Sequence, residues 1–270
     1  MITAPNCKIN LGLHVVERRP DGYHNLQTLF VPVPLCDELE IVPSEQFSFQ
    51  QEGILVEGDP EENLCVRAYR LMQRHCPQVG PVAMRLKKRI PFGAGLGGGS
   101  SDAAFVLVML RQLFHLDLSD RQLETLAVQL GADCPFFVRN KPAYATGIGD
   151  ILEPVELDLG SYRLVLLKPD DAVSTREAYG GIRPNAQNRP DLRQVIRRPI
   201  GEWRQQIVND FETTVFPHHP RIAFLKVFLY KQGALYASMS GSGSTVFGLF
   251  DSQNEIDLSA IPSDEILYVG

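Results

Sequence analysis

No stretch of this chain approaches the ~20 consecutive apolar residues of a membrane span, so no bilayer-spanning segment is expected. Basic residues are not in excess either. Lys and Arg number 26 against 32 Asp and Glu, leaving a net charge of −6 and a sequence pI of about 5.6. Phosphate backbones reward basic surfaces, so nucleic acid is not an expected partner. The five cysteines, Cys7, Cys36, Cys65, Cys76 and Cys134, are odd in number and form no Cys-x-x-Cys pair. That spacing argues against a disulfide framework or a zinc site, and for reduced thiols in a cytoplasmic protein. The opening residues, Met1-Ile-Thr-Ala-Pro-Asn6, lack a basic n-region and an apolar h-region, so no signal peptide is expected. Internal repeats and low-complexity blocks are missing as well. What remains is a 270-residue chain with 44% hydrophobic residues, enough for a packed core in one large domain or two small ones. No membrane and no obligate protein partner are expected.

The most informative segment is Pro91-Phe-Gly-Ala-Gly-Leu-Gly-Gly-Gly-Ser-Ser-Asp102, which opens directly onto the apolar run Ala103–Leu110. Glycine lets a backbone pass through positive φ and approach a ligand closely. A glycine loop at a helix start also aims free N–H groups and the positive helix end at one spot, an anion site suited to phosphate. Gly93, Gly95 and Gly98 match the dinucleotide pattern G-x-G-x-x-G, but that pattern needs a buried parallel strand before it. Here the preceding stretch alternates, with Val82, Met84, Leu86 and Ile90 on one face and Arg85, Lys87 and Arg89 on the other. One wet face predicts an antiparallel sheet. No Lys follows the glycines, which sets the P-loop pattern aside.

Periodicity divides the chain in two, with a boundary near the acidic, turn-like stretch Glu153–Leu159. In the first half, Cys7 to Val15 alternates as a strand, and Leu26–Pro34 and Asp37–Val42 read as further strands. Asn63–Arg74 reads as a helix. Ser119 and Gln122 form a capping box for another, with Leu123, Leu126, Ala127 and Leu130 on its apolar face and Gly131 as its stop. In the second half, Tyr162–Leu167 reads as a buried strand, Glu202–Val215 and Arg221–Lys231 as helices, and Ala234–Ser238, Thr245–Phe250 and Ile266–Val269 as strands. This order predicts an α+β domain with helices on one face of an antiparallel sheet.

Several residues bear chemistry. Lys8 shares a strand face with Asn10. Asp133 follows Gly131 at an expected helix C-terminus, where the dipole disfavours a carboxylate, so a cation is expected beside it, with Lys8 a candidate. Such a pair polarises a substrate hydroxyl, or else is a structural ion pair. Met239-Ser-Gly-Ser-Gly-Ser-Thr245 reads as a hairpin turn or as a second anion-contacting loop. Asp21-Gly-Tyr-His24 is a turn whose Tyr23 and His24 suit a base or simply the surface. Cys134 reads as a packed thiol. His218-His219 reads as a solvated turn rather than a metal site, and the arginines of the 183–198 stretch read as a solvated loop or as a patch that attracts an anionic substrate.

Together these segments resemble the GHMP small-molecule kinases, the superfamily of galacto-, homoserine, mevalonate and phosphomevalonate kinases. Pro5-Asn-Cys-Lys-Ile-Asn-Leu11, the Pro91–Ser101 loop and Met239-Ser-Gly-Ser-Gly-Ser-Thr-Val-Phe247 occur in that family's order. Arg19-Pro-Asp-Gly-Tyr-His-Asn-Leu-Gln-Thr-Leu29 and Leu130-Gly-Ala-Asp-Cys-Pro-Phe-Phe137 mark the member that acts on a cytidyl substrate. The resemblance implies a ribosomal S5 domain 2-like N-terminal domain (1–157) and a ferredoxin-like C-terminal domain (158–270). It implies ATP and Mg²⁺ as cofactors and phosphorylation of the 2-hydroxyl of 4-diphosphocytidyl-2-C-methyl-D-erythritol, in isoprenoid synthesis by the non-mevalonate route. Other GHMP kinase acceptors, or a catalytically silent sensor on the same fold, are the alternatives. Lys8 and Asp133 are implied as the catalytic pair. Asn63 and Leu64 would lie near adenine, and Pro91, Gly93, Ala94, Gly95, Leu96, Gly97, Gly98, Gly99, Ser100 and Ser101 would cradle the phosphates. Asn10, Tyr23, His24, Thr175, Tyr179, Gly241 and Gly243 would contact the acceptor, His24 reading the cytosine edge. The Mg²⁺ ligands stay open among Ser101, Asp102 and Asp133. The chain departs from the family pattern after Asp251, where the usual helix is missing, and in the 180–198 loop.

Overall fold

A computed structural model describes residues 1–55 and 58–270. The strands are β1 (Ile2–Thr3), β2 (Asn6–Arg18), β3 (His24–Cys36), β4 (Glu38–Pro43), β5 (Ser48–Gly53), β6 (Val82–Lys88), β7 (Ala143–Thr146), β8 (Ile151–Pro154), β9 (Tyr162–Leu167), β10 (Tyr236–Met239), β11 (Val246–Asp251) and β12 (Ile266–Val269). The helices are α1 (Leu64–His75), α2 (Gly98–Leu113), α3 (Asp120–Ala127), α4 (Cys134–Arg139), α5 (Thr175–Tyr179), α6 (Leu192–Val195), α7 (Glu212–Val215) and α8 (Pro220–Lys231). The architecture is α+β, as expected. Its compact units interleave along the chain. The first comprises Met1–Lys8, Pro32–Phe92 and Gly97–Lys141, and the second Ile9–Val31, Gly93–Leu96 and Pro142–Gly270. The expected division at 157/158 follows the chain order, whereas these units follow packing.

In the first unit, a four-stranded sheet runs in the order β1-β4-β6-β5. β6 buries Val82, Met84 and Leu86 and pairs antiparallel with β4, setting Leu86 opposite Leu39. Its other neighbour, β5, is parallel to it, so the sheet is mixed where an antiparallel one was expected. A strand with one wet face tolerates either neighbour, because the alternation reports burial and not direction. Asn63 caps α1 through its side-chain oxygen, which accepts the Cys65 N–H at 2.9 Å. The capping box of Ser119 and Gln122 starts α3, which buries Leu123, Leu126 and Ala127.

The second unit contains an antiparallel sheet in the order β10-β11-β9-β12, with α8 packed against β10 and β11. Its core joins Val165, Leu167, Leu225, Leu229, Val246 and Phe250. A third sheet runs β2-β3-β7-β8, and β2 is buried from Asn6 to Val15 on both faces.

The helix expected over Glu202–Val215 is a correction. The chain forms a 3₁₀ turn over Ile200–Gln205, then α7, with an irregular segment between them. Asn209 and Asp210 break it. Asn209 Oδ1 accepts the Phe211 N–H at 3.0 Å, and Asp210 Oδ2 accepts the Val15 N–H at 2.8 Å. Short polar side chains that take backbone partners in this way compete with a helix.

Candidate active site

In the first unit, Lys8 of β2 is 3% exposed, and its Nζ lies 3.2 Å from Asp133 Oδ2. The expected pair is thus formed, although Asp133 stands elsewhere than expected. It precedes α4 as its N-cap, where the positive helix end favours a carboxylate, and does not end α3. Gly97 packs against the lysine stem. Its φ is +68°, and a Cβ there would lie 3.1 Å from Lys8 Cε and 3.2 Å from the Phe137 ring. Only glycine brings the loop this close to the pair.

Gly98 opens α2 over Lys88, where a Cβ would meet Lys88 Nζ at 3.0 Å. Lys88 is buried between Asp37 and Asp102, bonding Asp37 Oδ2, and Asp102 Oδ2 at 2.8 Å. Asp37 Oδ1 also accepts the N–H groups of Arg89 at 2.5 Å and Ile90 at 2.8 Å. This buried network ties the first turn of α2 to the end of β6. Burial pushes the Asp102 carboxyl up to about 7, against the pull of Lys88. Asp102 bonds Lys88 through Oδ2, while its Oδ1 has no hydrogen-bond partner among the described residues. Sequence reasoning missed Lys88. The signal was its position on the apolar face of β6, in phase with Val82, Met84 and Leu86.

Ser101 is fully buried, and its Oγ has no hydrogen-bond partner among the described residues. Burial raises the Cys134 thiol to about 12, so it is a packed thiol and no nucleophile. A pocket of about 370 Å³ is lined by Phe49, Gln51, Leu55, Asp59, Pro60 and Asn63, among others. Asn63 Nδ2 donates to Gln51 Oε1 there at 3.3 Å, and Leu64 begins α1 beside it.

The second unit holds Gly93 and Gly95 at φ +64° and +74°. A Cβ on Gly95 would overlap the Ser240 carbonyl oxygen, whereas at Gly93 the space is open. Ser240 Oγ donates to the Gly95 carbonyl at 2.8 Å and accepts the Asn10 N–H at 3.1 Å. The Thr245 N–H donates to the Ala94 carbonyl at 3.2 Å. Asn209 Nδ2 donates to the Met239 and Gly241 carbonyls, each at 2.8 Å. The serine–glycine cluster is therefore a brace for the Gly93–Leu96 backbone. Asn10 Nδ2 donates to Thr28 Oγ1 at 3.0 Å, and a Cβ on Gly241 would lie 3.2 Å from Asn10 Oδ1. Gly243, also at positive φ, packs on Met239.

Also in this unit, the His24 ring stacks on Tyr179 at 4.6 Å and 21°, and Tyr179 meets Phe211 edge-on at 4.7 Å. Burial, with Arg18 nearby, holds His24 below its usual pKa. Tyr23 is 61% exposed, outside that stack, and its N–H donates to Asp21 Oδ1 at 3.0 Å. Thr175 is exposed at the first position of α5. The arginines expected to be solvated are partly engaged. Arg189 forks onto Asp210 at 2.7 and 2.8 Å, and Arg193 binds Asp191 and Glu153 and lies over the Tyr144 ring. Among the described residues, no cluster of three or more His, Cys, Asp or Glu is placed to hold a metal, and no helix is long and apolar enough to cross a membrane.

Residues 63–141 match the family model of the GHMP kinases N terminal domain, and residues 191–260 match that of GHMP kinases C terminal. A 4-diphosphocytidyl-2-C-methyl-D-erythritol kinase of Bacteroides fragilis is 53% identical over 260 residues, covering 95% of this chain and 94% of its own length. The protein of that name from Parabacteroides distasonis is 50% identical over 270 residues, covering 100% and 99%. A crystal structure of a 4-(cytidine 5'-diphospho)-2C-methyl-D-erythritol kinase superposes with a TM-score of 0.79 at 37% identity, covering 92% of this chain and 90% of that one. The phosphomevalonate kinase of Streptococcus pneumoniae, at 15% identity and a TM-score of 0.72, shares the fold alone. With both family segments matched, and relatives half identical along nearly its whole length, the chain belongs to the GHMP kinase family.

Proposed function

We propose that this kinase transfers the γ-phosphoryl group of ATP to the 2-hydroxyl of 4-diphosphocytidyl-2-C-methyl-D-erythritol. The observation that carries the chemistry is the buried Lys8 at 3.2 Å from Asp133, packed against a glycine of the phosphate loop. The acceptor is supported by the printed names of the 50–53% identical relatives and by the stacked His24 and Tyr179 rings, which suit a planar base.

In this reading, Asp133 accepts the proton of the 2-hydroxyl as its oxygen bonds the γ-phosphorus. The bond from that phosphorus to the β–γ bridging oxygen breaks, and ADP leaves. The Asp133 side chain is 32% exposed, which lets the proton pass on to water. Lys8 holds the attacking oxygen and offsets charge on the transferring group. Phosphoryl transfer has a loose transition state with charge spread over its oxygens, so positioning and neutralisation do most of the catalysis. The N–H groups of the Gly93–Ser101 backbone supply donors for the phosphates. The pocket at Asn63 and Leu64 takes the adenine, and Asn10 contacts the acceptor. Mg²⁺ fits this site as an ion carried largely by ATP oxygens, since it is usually held by one or two protein oxygens plus phosphates. Asp133, Asp102 and the Ser101 hydroxyl, which has no partner among the described residues, are the residues that would hold it, and it would neutralise phosphate charge. The matched family segments fall on either side of 157/158, which supports that domain division. The five free cysteines support a cytoplasmic setting.

ADP release coupled to a reporter tests the proposal, with Mg-ATP and the cytidyl substrate, and with mevalonate and homoserine as controls. Turnover with the cytidyl substrate alone is expected. Turnover with a control alone discards the base-binding role of His24 and Tyr179.

A further inference from the structure

His219, the residue before α8, places both ring nitrogens on carboxylates. Nδ1 lies 2.9 Å from Asp171 Oδ1 and Nε2 2.8 Å from Glu177 Oε1, and the side chain is 15% exposed. A histidine expected to be solvated is instead a bridge. Glu177 sits on α5, two residues before Tyr179, the ring stacked on His24. A helix of five residues does not hold itself in place and depends on tertiary ties. Its N-cap Ser174 Oγ accepts the Glu177 N–H at 3.1 Å, and among the described residues two side-chain bonds tie it to the rest of the unit: Thr214 Oγ1 donates to the Ala178 carbonyl at 2.7 Å, and His219 takes the Glu177 carboxylate.

We propose that His219 is a positioning residue for recognition of the acceptor's base: by bridging Asp171 and Glu177 it sets α5 so that Tyr179 faces His24. This rests on the reading of His24 and Tyr179 as the cytosine site. The bridge is complete only when the ring is charged. An imidazolium donates from both nitrogens, whereas a neutral ring turns one lone pair toward a carboxylate. Burial opposes the charge, but the bonds to Asp171 and Glu177 outweigh it and hold the His219 pKa above its usual 6.5. The bond to His219 in turn pulls the Glu177 carboxyl down. The other charged or titratable groups around the bridge are His218, Arg176 on α5, and Arg221, which acts on Asp171 while bound to Glu265. Raising the pH through the His219 pKa therefore releases one carboxylate and loosens α5.

The test is the KM for the cytidyl substrate at saturating Mg-ATP from about pH 6 to about pH 9, in the wild type and in His219→Gln, with Tyr179→Ala as a control. The wild-type KM is expected to rise about three- to tenfold across that range, as expected for loss of one charge-assisted bond. His219→Gln is expected to show the raised KM throughout and no pH dependence, with the ATP KM unchanged in both. A wild-type KM that is flat with pH, or a His219→Gln KM equal to the wild type at the acid end, overturns the proposal. An unchanged KM in Tyr179→Ala overturns the cytosine site itself, a separate failure. Should His219→Gln melt below the assay temperature, Glu177→Ala, which leaves no acceptor for the ring, cuts the same tie from its exposed end. It must reproduce the raised KM, and a wild-type KM there also overturns the proposal.

Discussion

Lys8 Nζ lies 3.2 Å from Asp133 Oδ2, and the two residues reach each other across 125 positions of sequence (133 − 8) with one partner buried and the other a third exposed. A lysine 3% exposed needs an anion, because an isolated buried charge costs far more than a paired one. The same pairing leaves a carboxylate open to solvent on one side, where a hydroxyl can reach it.

Asp133→Asn keeps the shape and removes the proposed base. We expect kcat to fall about 10²–10⁴-fold, the range of a positioned general base, with the KM values little altered. Lys8→Met is expected to fall by a similar factor. Steady-state kinetics on variants with wild-type circular dichroism checks both, and near-normal turnover in the pair would remove them from the catalytic role.

The glycine loop proposed to hold the phosphates offers a matched comparison. Gly93 and Gly95 both have positive φ, so alanine strains either by about 1 kcal/mol. At Gly93 a methyl enters open space, whereas at Gly95 it overlaps the Ser240 carbonyl. Gly93→Ala is expected to lose only that strain. Gly95→Ala is expected to melt at a clearly lower temperature and to show a raised ATP KM. Equal melting temperatures for the two variants would argue against the brace from Ser240.

His14 is fully buried on β2, and neither ring nitrogen has a hydrogen-bond partner among the described residues. Burial, aided by Arg189 and opposed by Asp210, lowers its pKa to about 4. The folded state therefore excludes a proton that the unfolded chain takes up below about 6.5. Stability from this group is complete above that pH and is lost as the pH falls toward 4, on the order of 3 kcal/mol. Thermal melts from neutral to acid pH should show a shallower decline in His14→Phe than in the wild type. Parallel declines would place the acid sensitivity elsewhere.

Much of the site was legible because its signals are local. The glycines of the loop, the capping box at Ser119 and the alternation of β2 and β6 each lie within a few residues. Backbone conformation and burial pattern are decided at that range. The helix expected over Glu202–Val215 failed for the complementary reason. Its pattern was adequate, but Asn209 and Asp210 bond to backbone that the linear pattern does not include. The place of Asp133 was misjudged because α4 is six residues long, too short to announce itself by periodicity.

By itself, the sequence determined the family, the α+β class, the glycine loop and the Lys8–Asp133 pairing. Only the tertiary structure decided what holds them. Ser240 bonds the Asn10 backbone from 230 residues away, Lys88 joins Asp37 to Asp102, and His219 reaches Glu177 across 42 positions. These partners are single polar atoms facing one another across packed elements. A buried polar group accepts whichever partner the fold delivers, so its choice is settled by packing and not by the pattern of its neighbours.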